Sequence, residues 1–202
     1  MKLVKLGLVS ALLVATTTLI ASDESSDFEV SANVAMTSDY IWRGMTQSGN
    51  APAIQGGFDT SFKGLYAGVW ASNVDLGEDD NATTEFDIYL GYSNNISNLT
   101  YDIGFIQYAY PTTTDELNFG EAVLSLEYDF KVLSINAKYY LGVDTNDVED
   151  VEDDWEPENN AEFGISIPLP LAITIDGTYG QYDEKGDYYS ASISRTFGKL
   201  DF

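Results

Sequence analysis

Over much of the chain, apolar and polar residues alternate one for one. In KVLSINAKYYLGV, Lys131 to Val143, every second position from Leu133 through Ile135, Ala137 and Tyr139 to Leu141 forms one set. Ser134, Asn136, Lys138 and Tyr140 fill the gaps. A period of two marks a β-strand with one apolar and one polar face. The same pattern runs through GEAVLSLEYDF (120–130), LAITIDGTYG (171–180) and FEVSANVAM (28–36). It is blurred in LTYDIGFIQYAY (99–110), where Ile106 and Tyr108 fall on the side of Asp102. The patterning predicts ten strands, at 28–42, 53–62, 65–74, 84–93, 98–109, 119–130, 132–143, 160–168, 171–182 and 187–197. Most have the length of about 9–11 residues that a tilted strand needs to cross a bilayer, and aromatic and β-branched residues dominate them.

The connections alternate too. Those at 63–64, 94–97, 130–131 and 168–170 are tight, whereas those at 43–52, 75–83, 111–118 and 144–159 are long and polar; the last, at 183–186, is short. Short turns at one end and longer loops at the other are the habit of outer-membrane barrels, and a barrel turns its apolar face to lipid and its polar face inward. The expectation is therefore an all-β, antiparallel transmembrane β-barrel of about ten strands, twelve or eight being the neighbouring even counts. The rival architecture, a soluble periplasmic β-sandwich that binds a ligand, would bury the apolar face instead. On the barrel reading Leu133, Ile135 and Leu141 meet lipid. Tyr40 and Trp42 at the end of the first strand, with Tyr128 and Phe130 at the end of the sixth, form part of an interfacial aromatic belt.

The N-terminus changes the domain picture. Lys2 and Lys5 precede an uncharged run from Leu6 to Ile20, followed by the small residues Ala21 and Ser22. This reads as a secretory signal peptide cleaved after Ala21, so that 1–21 is leader and 22–202 a single barrel domain in the bacterial outer membrane. The apolar run is shorter than the ~20 residues of a spanning helix.

Charge narrows the function classes. Thirty-three Asp and Glu face nine Lys and Arg, with neither His nor Cys among the 202 residues. Nucleic acid is a poor partner for so acidic a chain. Without His there is no His-based triad, metal site or proton shuttle, and no nucleophile has a visible base, so neither an enzyme nor a cofactor is expected. With the apolar faces outward, Asp39, Asp59, Asp87, Asp102, Glu121, Glu127, Glu162 and Asp176 line the interior, joined by Glu29 and Asp129, with Lys138 and Arg43 as the main counter-charges. Such a lining would concentrate cations in a narrow channel. The competing reading is an interior filled by those same side chains, with acids paired to Lys138, Arg43, Tyr hydroxyls and water. Arg43 is expected as a rim charge, or as a constriction residue paired with Asp39 or Asp59. Arg195 has outward parity near the tight-turn end, where it could snorkel to headgroups. The acidic run 144–158 reads as a solvated loop, with divalent-cation binding at a non-conducting barrel's surface as the alternative.

One stretch is more specific. TSDYIWRG (37–44), PAIQGGFD (52–59) and YAGVWASNV (66–74) resemble the TorF-type porin family of proteobacteria, and weaker likeness continues through FDIYLGYS, YDIGFIQYAYP and AKYYLGV. The resemblance implies an outer-membrane barrel passing small solutes; the family supplies no settled substrate. The expected partners are outer-membrane lipid and small hydrophilic solutes or cations.

Overall fold

In the computed structural model, residues 16–22, 27–77, 81–111, 113, 117–145, 157–198 and 200–201 are described, the first of these segments in its backbone only. The elements are β1 (Thr16–Ser22), β2 (Phe28–Thr37), the two short strands β3 (Ile41–Trp42) and β4 (Met45–Thr46), β5 (Ala53–Phe62), β6 (Leu65–Asn73), β7 (Thr84–Ile96), β8 (Leu99–Ala109), β9 (Phe119–Asp129), β10 (Ser134–Val143), β11 (Asn160–Leu169), β12 (Ile173–Tyr182), β13 (Gly186–Phe197) and β14 (Leu200–Asp201). The protein is all-β, with a 3-10 turn at Pro170–Ala172.

The long strands form one large antiparallel sheet in which each pairs with the next along the chain. Tight turns make this meander possible. Lys63 and Gly64 both have positive φ, 51° and 90°, the backbone of a two-residue type I′ hairpin whose twist matches its strands. At the ends of the sheet, β1 pairs with β2 from Thr17↔Val34 to Ser22↔Glu29. The order returns on itself only through β14, which meets β13 at Thr196↔Asp201 and Phe197↔Leu200 and β1 at Thr16↔Asp201 and Thr17↔Leu200. From Gly186 to Arg195, β13 is paired along its β12 edge, while its contact with β14 involves only those last two pairs.

Three details depart from the sequence reading. The first strand stops at Thr37 rather than Trp42, and the segment beyond it turns into the β3–β4 hairpin. The turn after β7 lies at Ser97–Asn98, beyond the expected 94–97, because Ile96 still pairs with Leu99. The end of the expected leader, residues 16–21, lies in the strand Thr16–Ser22, consistent with its run of β-branched residues; residues 1–15 lie outside the described residues.

The two faces follow the predicted parity. The outward residues are apolar and exposed on strand after strand: Ile54 at 60%, Leu90 at 58%, Ile103 at 59%, Ile135 at 45% and Ile193 at 74%. At the tight-turn end the outward residues are aromatic, with Phe28, Phe62, Phe197 and the adjacent rings of Tyr128 and Phe130 all exposed. Arg195, outward as expected, lies 4.3 Å over the Phe197 ring.

The polar face is concave, and the β3–β4 hairpin demonstrates it. Tyr40 packs on Trp70 of β6, and Trp42 packs on Tyr108 of β8, Phe119 of β9 and Tyr182 of β12. Neighbouring strands sit about 4.8 Å apart, so one small hairpin can touch strands from β6 to β12 only if the sheet wraps around it.

Candidate functional site

The candidate site is the inner face, built around Arg43. This residue sits at the tip of the β3–β4 hairpin in the left-handed region, with φ 49°. Its guanidinium donates twice to Glu121, at 2.6 Å from Nη1 and 2.9 Å from Nη2. Asn160, with its amide turned to satisfy all its neighbours, accepts from Arg43 Nε at 3.1 Å. Three rings surround the cation: Trp42 at 4.2 Å, Tyr140 at 4.7 Å and Tyr182 at 4.9 Å from its central carbon. Burial opposes the guanidinium's charge, but Glu121 beside it prevails and raises its pKa above the ordinary value. Arg43 is therefore neither a rim charge nor a partner of Asp39 or Asp59. It is 8% exposed and Glu121 is 0% exposed, because the hairpin folds inward instead of continuing the first strand upward. For the same reason Tyr40 and Trp42 are not part of an outer aromatic belt.

The remaining candidates fall into groups. Asp39 lies outside the strands, where it accepts from Thr46 (2.7 Å) and Ser48 (3.0 Å) and fixes the base of the hairpin. Asp87 on β7 is buried beside Glu85, which was not among the sequence candidates; Glu85 accepts from Tyr40 at 2.9 Å and from Tyr110 at 3.1 Å. Burial first, and then Glu85, push the hydroxyls of Tyr40 and Tyr110 well above the ordinary tyrosine value, so both remain protonated donors. Asp59 accepts from Tyr89, Asp102 from Tyr66 at 3.0 Å, and Glu162 from Tyr188 at 2.6 Å. Asp176 accepts from Ser192 at 3.4 Å. Lys138 pairs in register with Glu162 and lies within electrostatic reach of Asp102. Glu127, although on the inner face, is exposed at the tight-turn end. The structure thus gathers Arg43, Asp87 and Glu121 at one level and spreads the others along the wall.

The tyrosines are what the sequence reading undervalued. With few Lys and Arg available, phenol hydroxyls donate to Asp59, Glu85, Asp102, Glu121 and Glu162. Tyr66, Tyr89 and Tyr188 do so by lying over inward glycines. A Cβ on Gly104 would come within 2.6 Å of the Tyr66 hydroxyl, one on Gly68 within 2.5 Å of the Tyr89 ring, and one on Gly180 would overlap the Tyr188 ring. A signal was available: inward-parity Gly and Tyr alternate on neighbouring strands. The acidic loop 144–158 lies largely outside the described residues, as do 78–80.

Among the described residues, no group of Asp and Glu is arranged to hold a metal ion. Residues 21–195 match the model of the family described as "Bacterial protein of unknown function (Gcw_chp)". The chain belongs to that family. The match covers the sheet from Ala21 in β1 to Arg195 in β13, and with it the hairpin and every residue of the Arg43 cluster. No curated protein matches the chain. The family description carries no activity, so function rests on the geometry.

Proposed function

We propose that this protein is an outer-membrane β-barrel that acts as a narrow, cation-preferring channel for small hydrophilic solutes. The observation that carries the reading is the inversion of the two faces. Isoleucine, leucine, valine and phenylalanine stand exposed on the convex face of β2 and of each strand from β5 to β13, while carboxylates, tyrosines and serines line the concave one. In water so extensive an apolar band is an aggregation hazard; in a bilayer it is the required outer surface. The aromatic residues at the tight-turn end, and Arg195 over Phe197, fit an interface there. The likeness to TorF-type porins points the same way.

A membrane does not tolerate an unpaired sheet edge. If the leader is cleaved after Ala21, β1 leaves the sheet and β2 can pair directly with β13. Ten strands place these two antiparallel, and each has a polar inward row: Glu29, Ser31 and Asn33 on β2, Ser190, Ser192 and Ser194 on β13. The mature barrel then has ten strands, with tight turns in the periplasm and long loops outside.

Cation preference follows from the inward acids, which outnumber Lys138 and Arg43. One oxygen each of Asp87 and Asp102 has no protein hydrogen-bond partner. This supports water in the interior, since buried polar atoms are normally satisfied. Reversal potentials across a planar bilayer in a salt gradient test the reading. We expect cation preference that weakens when Asp59, Asp102 and Glu127 are neutralised together, and that fades at molar salt, where the Debye length is ~3 Å. No conductance from correctly folded protein, with the β3–β4 hairpin either in place or released, would refute it. A second reading, a non-conducting barrel, is favoured by the packed hairpin and the tyrosine-paired acids.

A further inference from the structure

We propose that the β3–β4 hairpin is a plug closing the interior at its loop end. We further propose that the wall site made by Glu121, Asn160, Tyr140 and Tyr182 is a guanidinium-recognition site, which Arg43 fills to latch the plug. The gating half rests on the channel reading above; the recognition half does not.

The wall site has the features that select a guanidinium over other cations. The Glu121 carboxylate takes two parallel bonds from the planar fork, at 2.6 and 2.9 Å, a geometry that a compact ammonium cannot match. The oxygen of Asn160 takes the third donor at 3.1 Å. Tyr140 and Tyr182 face the cation within 5 Å, and an aromatic face attracts a desolvated cation. Tyr108 steadies Glu121 by donating to its second oxygen at 3.0 Å. None of these four wall residues belongs to the hairpin. The site is thus carried by β9, β10, β11 and β12, and only its occupant comes from the 41–46 segment.

The hairpin itself is small and separately anchored. It contributes two pairs, Ile41↔Thr46 and Trp42↔Met45, to a sheet of its own. Its base is held by Ser48, which donates to Asp39 and to the Ala51 carbonyl. With Arg43 detached, the contacts that remain between its tip and the wall among the described residues are the Trp42 ring contacts and the close approach of Gly44 to Tyr188, none of them a hydrogen bond. The same site would then be open to a solute bearing a guanidinium group, so latch and ligand compete for one place.

Two measurements on the chain folded into lipid bilayers decide the matter. The first concerns the site alone. Arg43→Ala should lower the unfolding temperature, and millimolar methylguanidinium should restore part of the loss. Methylammonium, charged but not forked, and urea, forked but uncharged, should not. Equal rescue by methylammonium, or none by methylguanidinium, would overturn the recognition site. The second concerns gating. Arg43→Ala, and the charge-free pair Arg43→Met with Glu121→Gln (which avoids a lone buried carboxylate), should conduct severalfold more than the parent. Equal conductance in parent and variants would overturn the plug and leave the channel standing. Silence from all three folded proteins would overturn plug and channel together.

Discussion

Replacing Gly91 with alanine tests how the tyrosines line the wall. Gly91 faces inward on β7, beneath the Tyr66 ring. A methyl there would overlap that ring and would lie 2.7 Å from the Ile103 carbonyl. The carbonyl belongs to the sheet and cannot yield, so Tyr66 must lift. Lifting breaks its 3.0 Å bond to Asp102, whose other oxygen already lacks a protein partner. A hydrogen bond to a charged group is worth about 1.5–3 kcal/mol, and overpacking adds about 1–3 kcal/mol. The expected destabilisation is therefore about 3–5 kcal/mol. Gly177→Ala is the control: its nearest neighbour is Ile165 Cγ2 at 3.5 Å, an ordinary contact, and a glycine replaced without strain gains about 0.4–1 kcal/mol. Urea unfolding from lipid vesicles, followed by tryptophan fluorescence, gives both values. Adding Tyr66→Leu to Gly91→Ala should recover the overpacking part, with the two changes non-additive. If Gly91→Ala were no worse than Gly177→Ala, the flat-lying tyrosine would not be a feature of the folded wall.

Other outcomes follow from the same geometry. Arg43→Met alone should destabilise by about 3–5 kcal/mol, since it strands a buried carboxylate, and the added change Glu121→Gln should return much of that loss in a double-mutant cycle. An arginine at Ile135 should cost about 2–4 kcal/mol of folding into liposomes, and one at Asn136 much less; the reverse order would exchange the two faces. Cysteines at Asn81 and Thr113 should react with an impermeant thiol reagent on intact cells, while one at Lys63 should not, and the opposite labelling would invert the topology. With no cysteine in the sequence, a cysteine at Asn33 should form a disulfide with a cysteine at Ser190, Ser192 or Ser194 in a chain beginning at Ser22. Failure of all three would leave the β2–β13 seam open.

Strand positions and faces were legible because period two is a local property. Even the blurred segment resolved: Ile106 and Tyr108 do share the inner face with Asp102, since the β8 register sets Ile106 beside Glu121 and Tyr108 beside Phe119. What was not legible depends on partners far apart in sequence. Tyr40 and Trp42 continue the alternation of the first strand, yet they turn inward because Glu85, Trp70 and Phe119 await them on other strands. Arg43 could be paired with Asp39 or Asp59 by proximity in the chain, but its acid is Glu121, 78 residues away. Glu85 shares the inward parity of Asp87, so its face was legible; its burial was not, because its partners Tyr40 and Tyr110 come from segments 45 and 25 residues away. The tyrosine–acid pairs have the same cause: parity shows that Tyr66 and Asp102 both face inward, but only the folded register brings them together.

Whether the apolar face lies in lipid and the polar face in water can be read along one strand. Nitroxide labels are placed singly from 134 to 141 on β10 in liposomes, and collision rates with oxygen and with a water-soluble nickel chelate are compared. A barrel in lipid gives alternation with period two: oxygen favoured at Ile135, Ala137, Tyr139 and Leu141, nickel at Ser134, Asn136, Lys138 and Tyr140, with Tyr140 damped by its place beside Arg43. Alternation of opposite phase, or nickel access at every position, would contradict it.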